Sequence, residues 1–319
     1  MLKEFIPYAF EFFDGNISFH LITNGTRLLS IKELISEYAA YNKFSVQLSI
    51  DAGPKCKTNR CPDSKREWYE ASIKKSVDFL IGANIRFSIR GTLCSEMAGD
   101  LYSNYNYFVE IYEDSESMQP NVMFSPELYK SNWRERDLII LEENIDNIVR
   151  DVAAANTENG EDISESFVRK ALQNLKRKKT NEPPAGHNLC GFSRELYAIA
   201  PNGDAYACHR VYNNDDLWFG NMLTGDIDFA KLNAIASVFN NREFVQPNSK
   251  IGIANCTECA IRWSCGSVCP ANNTRRYAEN GSIECDYVMY RMRLAYARSV
   301  ERHFSTVIRE DNKTPSMST

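Results

Sequence analysis

Cys256-Thr-Glu-Cys259-Ala-Ile-Arg-Trp-Ser-Cys265-Gly-Ser-Val-Cys269-Pro270 is the stretch on which the reading of this chain turns. Its four cysteines stand two, five and three residues apart, Cys285 follows, and Cys190 and Cys208 precede. Seven of the ten cysteines therefore fall within residues 190–285, and Cys56, Cys61 and Cys94 are the others. Disulfide staples suit short secreted domains, and a chain of 319 residues without a secretory signal has neither that setting nor that need. Thiolates at such loop spacings can converge on one centre, either tetrahedral zinc or an iron-sulfur cluster. Seven thiols are three too many for one four-thiolate site and one too few for two.

Outward from this stretch, the residues before Cys208 supply an arm. Leu196-Tyr-Ala-Ile-Ala and Ala205-Tyr-Ala flank Pro201-Asn202-Gly203-Asp204, alternating apolar segments on either side of an Asn-Gly turn. This predicts a β-hairpin that delivers Cys208 at the end of its second strand. Beyond Cys285, Val288, Met292, Ala295 and Tyr296 recur at helical spacing and predict a C-terminal helix packing behind the second cysteine group.

Composition sets the outer limits. Apolar residues at 43%, charged residues at 25% and aromatics at 12% are those of an ordinary globular chain, and the length suits about two domains. A net charge of -5 lacks the broad basic surface that phosphate backbones require, so no nucleic-acid partner is expected. No run of 18 apolar residues exists to span a membrane, and Glu4 and Glu11 interrupt the apolar N-terminal stretch, which is not a signal peptide. The expected location is cytoplasmic.

The first 180 residues alternate between two periodicities. Ile17–Thr23, Phe44–Ile50 and Ile85–Leu93 read as strands, Ser30–Tyr41 and Lys65–Gly82 as helices, with Gly82 as the cap of the second. Strands separated by helices of about a dozen residues imply βαβ units and a parallel sheet. Polar residues at the carboxyl ends of such strands are ligand candidates. Tyr107-Phe-Val-Glu-Ile-Tyr112 reads as a fourth strand, Trp133–Ala155 and Ser164–Lys179 as helices, and Thr180–Gly186 as a linker. Cys56 and Cys61, spaced by four residues with no third partner, form a weak pair.

The seven-cysteine pattern Cys190-x12-Gly203-x4-Cys208, Cys256-x2-Cys259-x5-Cys265-x3-Cys269 and Cys285 resembles the SPASM signature of radical SAM peptide and protein maturases. The resemblance implies two auxiliary 4Fe-4S clusters with interleaved ligands. Cys256, Cys259, Cys265 and Cys285 would hold the distal cluster, and Cys190, Cys208 and Cys269 the proximal one. The proximal set is one ligand short, an open position for a substrate or for His187 or His209. Thr23-Asn-Gly25, Ser49-Ile-Asp51 and Arg90 resemble strand ends of the radical SAM partial barrel, which implies Thr23, Asn24, Ser49, Asp51 and Arg90 near S-adenosylmethionine (SAM). The residue after the hairpin cysteine is His209, a candidate base, and Cys208-His-Arg-Val-Tyr212 followed by Phe219-Gly-Asn221 resembles maturases that install thioether or carbon crosslinks more than those that act on sulfatases.

The expected architecture is α/β: a partial radical SAM (β/α) barrel over residues 1–182 lacking its first strands, a cysteine-rich SPASM domain with hairpin and helix over 187–308, and a tail over 309–319. The family's C-x3-C-x2-C loop, which holds the SAM-cleaving cluster, is absent from the sequence. A shortened gene product, a split enzyme, and a homologue that keeps the clusters for binding or electron transfer are the three explanations, and the first is favoured. SAM and a third 4Fe-4S cluster are then expected only where the front segment is supplied, with an unpaired apolar sheet edge in its absence. The expected partners are a peptide or protein substrate and a reductant such as a flavodoxin or ferredoxin. Structural zinc is the alternative for the same cysteines.

Overall fold

Alternation in Phe44-Ser-Val-Gln-Leu-Ser49 buries Phe44, Val46 and Leu48 and leaves Ser45, Gln47 and Ser49 half-buried, the period-two pattern of a strand with one apolar face. The computed structural model describes residues 2–53, 60–112, 121–126, 132–155, 166–180, 192–193, 196–239, 245–262, 265, 269, 271, 273 and 283–304. The strand above is β2. With β1 (Phe19–Thr23), β3 (Phe87–Leu93) and β4 (Val122–Pro126) it forms a four-stranded parallel sheet in the order β1-β2-β3-β4. The helices α1 (Leu2–Phe12), α2 (Lys32–Ala39), α3 (Arg66–Gly82), α4 (Leu101–Glu110), α5 (Glu135–Ala155) and α6 (Ser166–Thr180) complete the N-terminal elements.

A parallel sheet sandwiched between helices reads as continuous apolar runs. This sheet instead alternates on β2, β3 and β4, so one face is buried and the other keeps Ser45, Gln47, Ser49, Ser88, Arg90, Thr92 and Ser125. The register sets Ser49 beside Arg90, and Arg90 donates to the Ser125 hydroxyl at 3.2 Å. Gly91 is where the packed face is tightest: a Cβ there would lie 2.8 Å from the Phe124 ring and 3.1 Å from the Ile50 carbonyl. At the β1 side of the sheet Ile22 is 56% exposed, and α1 exposes Phe5, Tyr8 and Phe12.

Two expectations change. Tyr107–Glu110 lies in α4, not in a strand, because Leu101, Tyr105 and Phe108 bury one helical stripe. The fourth strand is Val122–Pro126, paired with β3. Gly82 is the last residue of α3 rather than its left-handed cap, and Asn84 takes the positive φ of 51°. The helix α5 starts at Glu135, two residues later than the expected Trp133, and the Asp137 carboxylate reaches back to accept from the Arg134 backbone N–H at 3.0 Å, satisfying a donor at the helix start.

The chain divides into two compact units, one running to Lys170 and resuming at Arg298, the other Ala171–Ala297. The second holds an antiparallel sheet of β5 (Ala198–Ile199), β6 (Asp204–Tyr206), β7 (Trp218–Asn221) and β8 (Asp226–Ile227), then α7 (Phe229–Phe239). A parallel pair, β9 (Val245–Gln246) with β10 (Ile283–Glu284), precedes α8 (Tyr287–His303). No helix among the described residues is long and apolar enough to cross a membrane.

Candidate metal centre

The hairpin forms at the expected turn. Gly203 takes φ +89°, and its N–H reaches the Ala200 carbonyl at 2.9 Å. Asp204 fastens the sheet behind it by accepting from Trp218 Nε1 at 3.0 Å and from Asn221 Nδ2 at 3.1 Å, and donors of this kind, Trp218 foremost, hold its carboxyl below the usual range. Cys208 follows two residues after β6 and is buried among Phe192, Tyr206, Val211 and Ile235. Its sulfur caps the short turn that follows, accepting from the Arg210 N–H at 3.4 Å, and lies 3.7 Å from His209 Nδ1.

The later cysteines come from loops pinned to β9 and β10. Asn255 caps the turn carrying Cys256 by accepting from the Thr257 N–H at 2.9 Å, and the Cys259 N–H reaches the Cys256 carbonyl at 3.3 Å. Cys285 leaves β10 with its N–H on the Gln246 carbonyl at 3.0 Å, while its sulfur accepts from the Asn248 N–H at 3.3 Å. Buried Asn273 joins Cys269 to β10: it donates to the Cys269 carbonyl at 3.3 Å and accepts from the Glu284 N–H at 3.0 Å.

Electrostatics shows which thiols share space. Burial pushes the Cys285 thiol up to about 11, the Asn248 N–H opposes this, and the nearby thiols of Cys265, Cys256 and Cys259 push it further up. Burial also raises Cys208, against the Arg210 N–H, with Cys269 as its thiol neighbour. Geometry ties Cys208 to Cys269 through Arg210, whose N–H donates to the first sulfur and whose Nη1 donates to the second. Among the described residues no three Cys, His, Asp or Glu side chains lie close enough to share a single ion. Zinc draws its thiolates to about 2.3 Å from one point, whereas a cluster of several irons spreads its thiolates over its own width. Thiolate donors are of the kind that either group takes. Cys190, His187 and Cys56 lie outside the described residues.

In the N-terminal unit the expected SAM residues do not act alike. Thr23 and Asn24 serve their own turn: Thr23 Oγ1 accepts from the Gly25 N–H at 3.1 Å and Asn24 Oδ1 from the Thr26 N–H at 3.2 Å. Thr23 pairs with Leu48, on the packed side of the sheet, whereas Ser49 pairs with Arg90 on the polar side. Asp51, 4% exposed, is held by Arg60 Nε at 2.8 Å and the Thr92 N–H at 2.9 Å, so its carboxylate orders the ends of β2 and β3. Beside them Asn104 Oδ1 accepts from the Gly53 N–H at 2.8 Å.

Three residues of these sites were not legible in the spacing: Arg60, Arg210 and Arg293. Arg210 donates to Cys269 Sγ at 3.3 Å, and Arg293, from α8, to Cys265 Sγ at 3.2 Å. The only local signal was the position of Arg210 two residues after Cys208.

No family model and no curated protein matches the sequence. Solved structures do. Native anSMEcpe with bound AdoMet superposes with a TM-score of 0.62 at 17% identity, covering 98% of this chain and 82% of that one. The hexahistidine-tagged form with bound AdoMet gives 0.61 at 18% identity over 98% and 78%. The native form with bound AdoMet and Cp18Cys peptide gives 0.60 at 18% identity over 98% and 82%. The chain has the mixed α/β fold of these structures, parallel sheet included.

Proposed function

We propose that this chain is a radical SAM/SPASM protein of the peptide- or protein-modifying kind, with seven cysteines holding two auxiliary 4Fe-4S clusters. The observation that carries the reading is the geometry at Arg210, whose N–H donates to Cys208 Sγ and whose Nη1 donates to Cys269 Sγ, so that the hairpin cysteine and a loop cysteine flank one residue. The SPASM resemblance implies that these two belong to one ligand set. The fold shared with anSMEcpe, whose structures hold AdoMet and a peptide, supports the SAM and peptide parts. When bound, the clusters would supply iron that anchors substrate or takes one electron. The residues of this chain hold and surround them: thiolates ligate, Asn273 and Asn248 fix the loops, and His209 stands beside Cys208 with an imidazole suited to moving a proton near neutral pH. On the sheet, Ser49 and Arg90 offer a polar face to SAM, with Asp51 ordering the strand ends. Free thiols and clusters of this type suit a reducing cytoplasm. A thioether or carbon crosslink is the favoured product.

A cluster carrier for binding or electron transfer is the alternative reading. Anaerobic reconstitution with iron and sulfide tests both against zinc. About eight irons per chain are expected, falling to about four in Cys256→Ala/Cys259→Ala, which leaves the distal set only two thiolates. Colourless protein carrying zinc would overturn the cluster reading. Adding a segment that bears a C-x3-C-x2-C loop then separates enzyme from carrier, since only the enzyme releases 5′-deoxyadenosine from SAM.

A further inference from the structure

The segment Cys265–Cys269 is where the two thiol groups meet along the chain: its first cysteine stands with Cys285 and its last with Cys208. Each end is met by one guanidinium from a different element. Arg293 Nη1 on α8 is 3.2 Å from Cys265 Sγ, and Arg210 Nη1 beside the hairpin is 3.3 Å from Cys269 Sγ. Sulfur is a weak acceptor when it is a thiol and a strong one when it is a ligating thiolate. An arginine is always charged and offers fixed planar donors, which suits a thiolate better than a thiol.

We infer that Arg293 and Arg210 are positioning residues that each tune the reduction potential of one cluster, Arg293 the distal and Arg210 the proximal. The inference rests on the cluster reading proposed above. A donor to a ligating sulfur stabilises the more negative, reduced state and raises the potential. The two are not equal. The Arg293 contact is partly buried and the Arg210 contact is exposed. Lower local dielectric strengthens the first, while water and salt screen the second. Backbone donors act on each group as well, Asn248 N–H on Cys285 and Arg210 N–H on Cys208, so removing one side chain trims a potential and leaves ligation intact.

The test is an EPR-monitored redox titration of the reconstituted full chain, comparing wild type with Arg293→Met, Arg210→Met and Arg293→Lys at matched iron and sulfide content. Arg293→Met is expected to lower one of two midpoints by about 59 mV, which is about a tenfold change in the reduced-to-oxidised ratio at fixed potential for one electron. Arg210→Met should lower the other by less, and added salt should shrink that shift further. Arg293→Lys, which keeps a charge, should recover part of the loss. In a Cys256→Ala/Cys259→Ala background, where only the proximal cluster is expected, Arg210→Met should still move the midpoint and Arg293→Met should not. Two clusters present with both midpoints unmoved, or both moved equally by either variant, would overturn the inference and leave the cluster reading standing. Wild-type protein with no cluster signal would overturn both.

Discussion

Asp51 is the sharpest test of how the N-terminal sheet presents its strand ends. Its carboxylate is 4% exposed and accepts from Arg60 Nε and the Thr92 N–H, while Arg60 Nη2 also reaches Thr92 Oγ1 at 3.3 Å. Replacing Asp51 by Ala removes a charge-assisted bond worth about 1.5–3 kcal/mol and strands a backbone donor at about 1 kcal/mol more, partly offset by the freed Arg60 side chain. The net expected loss is about 2–4 kcal/mol. Asp51→Asn keeps an acceptor and loses the charge, so about 1–2 kcal/mol is expected. Arg60→Met leaves a buried carboxylate without its guanidinium partner.

Two compact units make a single unfolding transition a poor gauge, so the assay is hydrogen exchange read locally. At about 1.36 kcal/mol per tenfold, the Ala variant should lose about thirtyfold to nine-hundredfold protection at the Thr92 amide and its β2–β3 neighbours, with the β5–β8 amides unmoved. The double variant Asp51→Asn/Arg60→Met should cost less than the sum of the singles by more than about 0.5 kcal/mol, since the two groups touch. Unchanged protection in Asp51→Asn together with lost SAM binding would refute this reasoning. The carboxylate would then serve a ligand directly and not the strand ends.

Other outcomes follow from single positions. Gly220 has φ +142°, and a Cβ there would lie 2.1 Å from the Asp226 carbonyl oxygen, so Gly220→Ala should destabilise the β7–β8 hairpin by about 3–5 kcal/mol, read as early loss of Trp218 fluorescence in urea. Gly91→Ala should cost about 1–3 kcal/mol against the Phe124 ring, and Phe124→Leu should restore part of it. Asp146 accepts from Ser299 at 2.7 Å, Arg302 at 2.9 Å and His303 at 3.1 Å; burial alone would raise its pKa, but these hydrogen bonds and charges outweigh it and hold the carboxyl low. A depressed carboxyl stabilises above its unfolded pKa of about 3.9 and loses that contribution as pH falls through its lower folded value. The Tm difference between wild type and Asp146→Asn should therefore shrink as pH falls below the unfolded value of about 3.9.

What could be read from the sequence and what could not divides by the range of the forces involved. The hairpin was legible because Asn202-Gly203 answers a local demand, a positive φ at Gly203, and β2 because a six-residue alternation states its faces outright. Tyr107–Tyr112 misled for the opposite reason. Over six residues apolar alternation and a helical stripe overlap, and only Leu101 and Tyr105 upstream, buried with Phe108, decide for the helix. The fourth strand ends in Pro126, a residue that argues against a strand except at an edge, and β4 is an edge of the sheet among the described residues. The same logic governs the site. The cysteine spacings are local features of turns and loops, and the resemblance to the SPASM pattern, not spacing alone, is what sorts them. The donors to their sulfurs are fixed by packing: Arg293 meets Cys265 across 28 residues and Arg210 meets Cys269 across 59. An arginine on a helix carries no local sign of such a partner. The resemblance can therefore say which thiols would hold a cluster, whereas the donors around those thiols depend on contacts that only the folded chain makes.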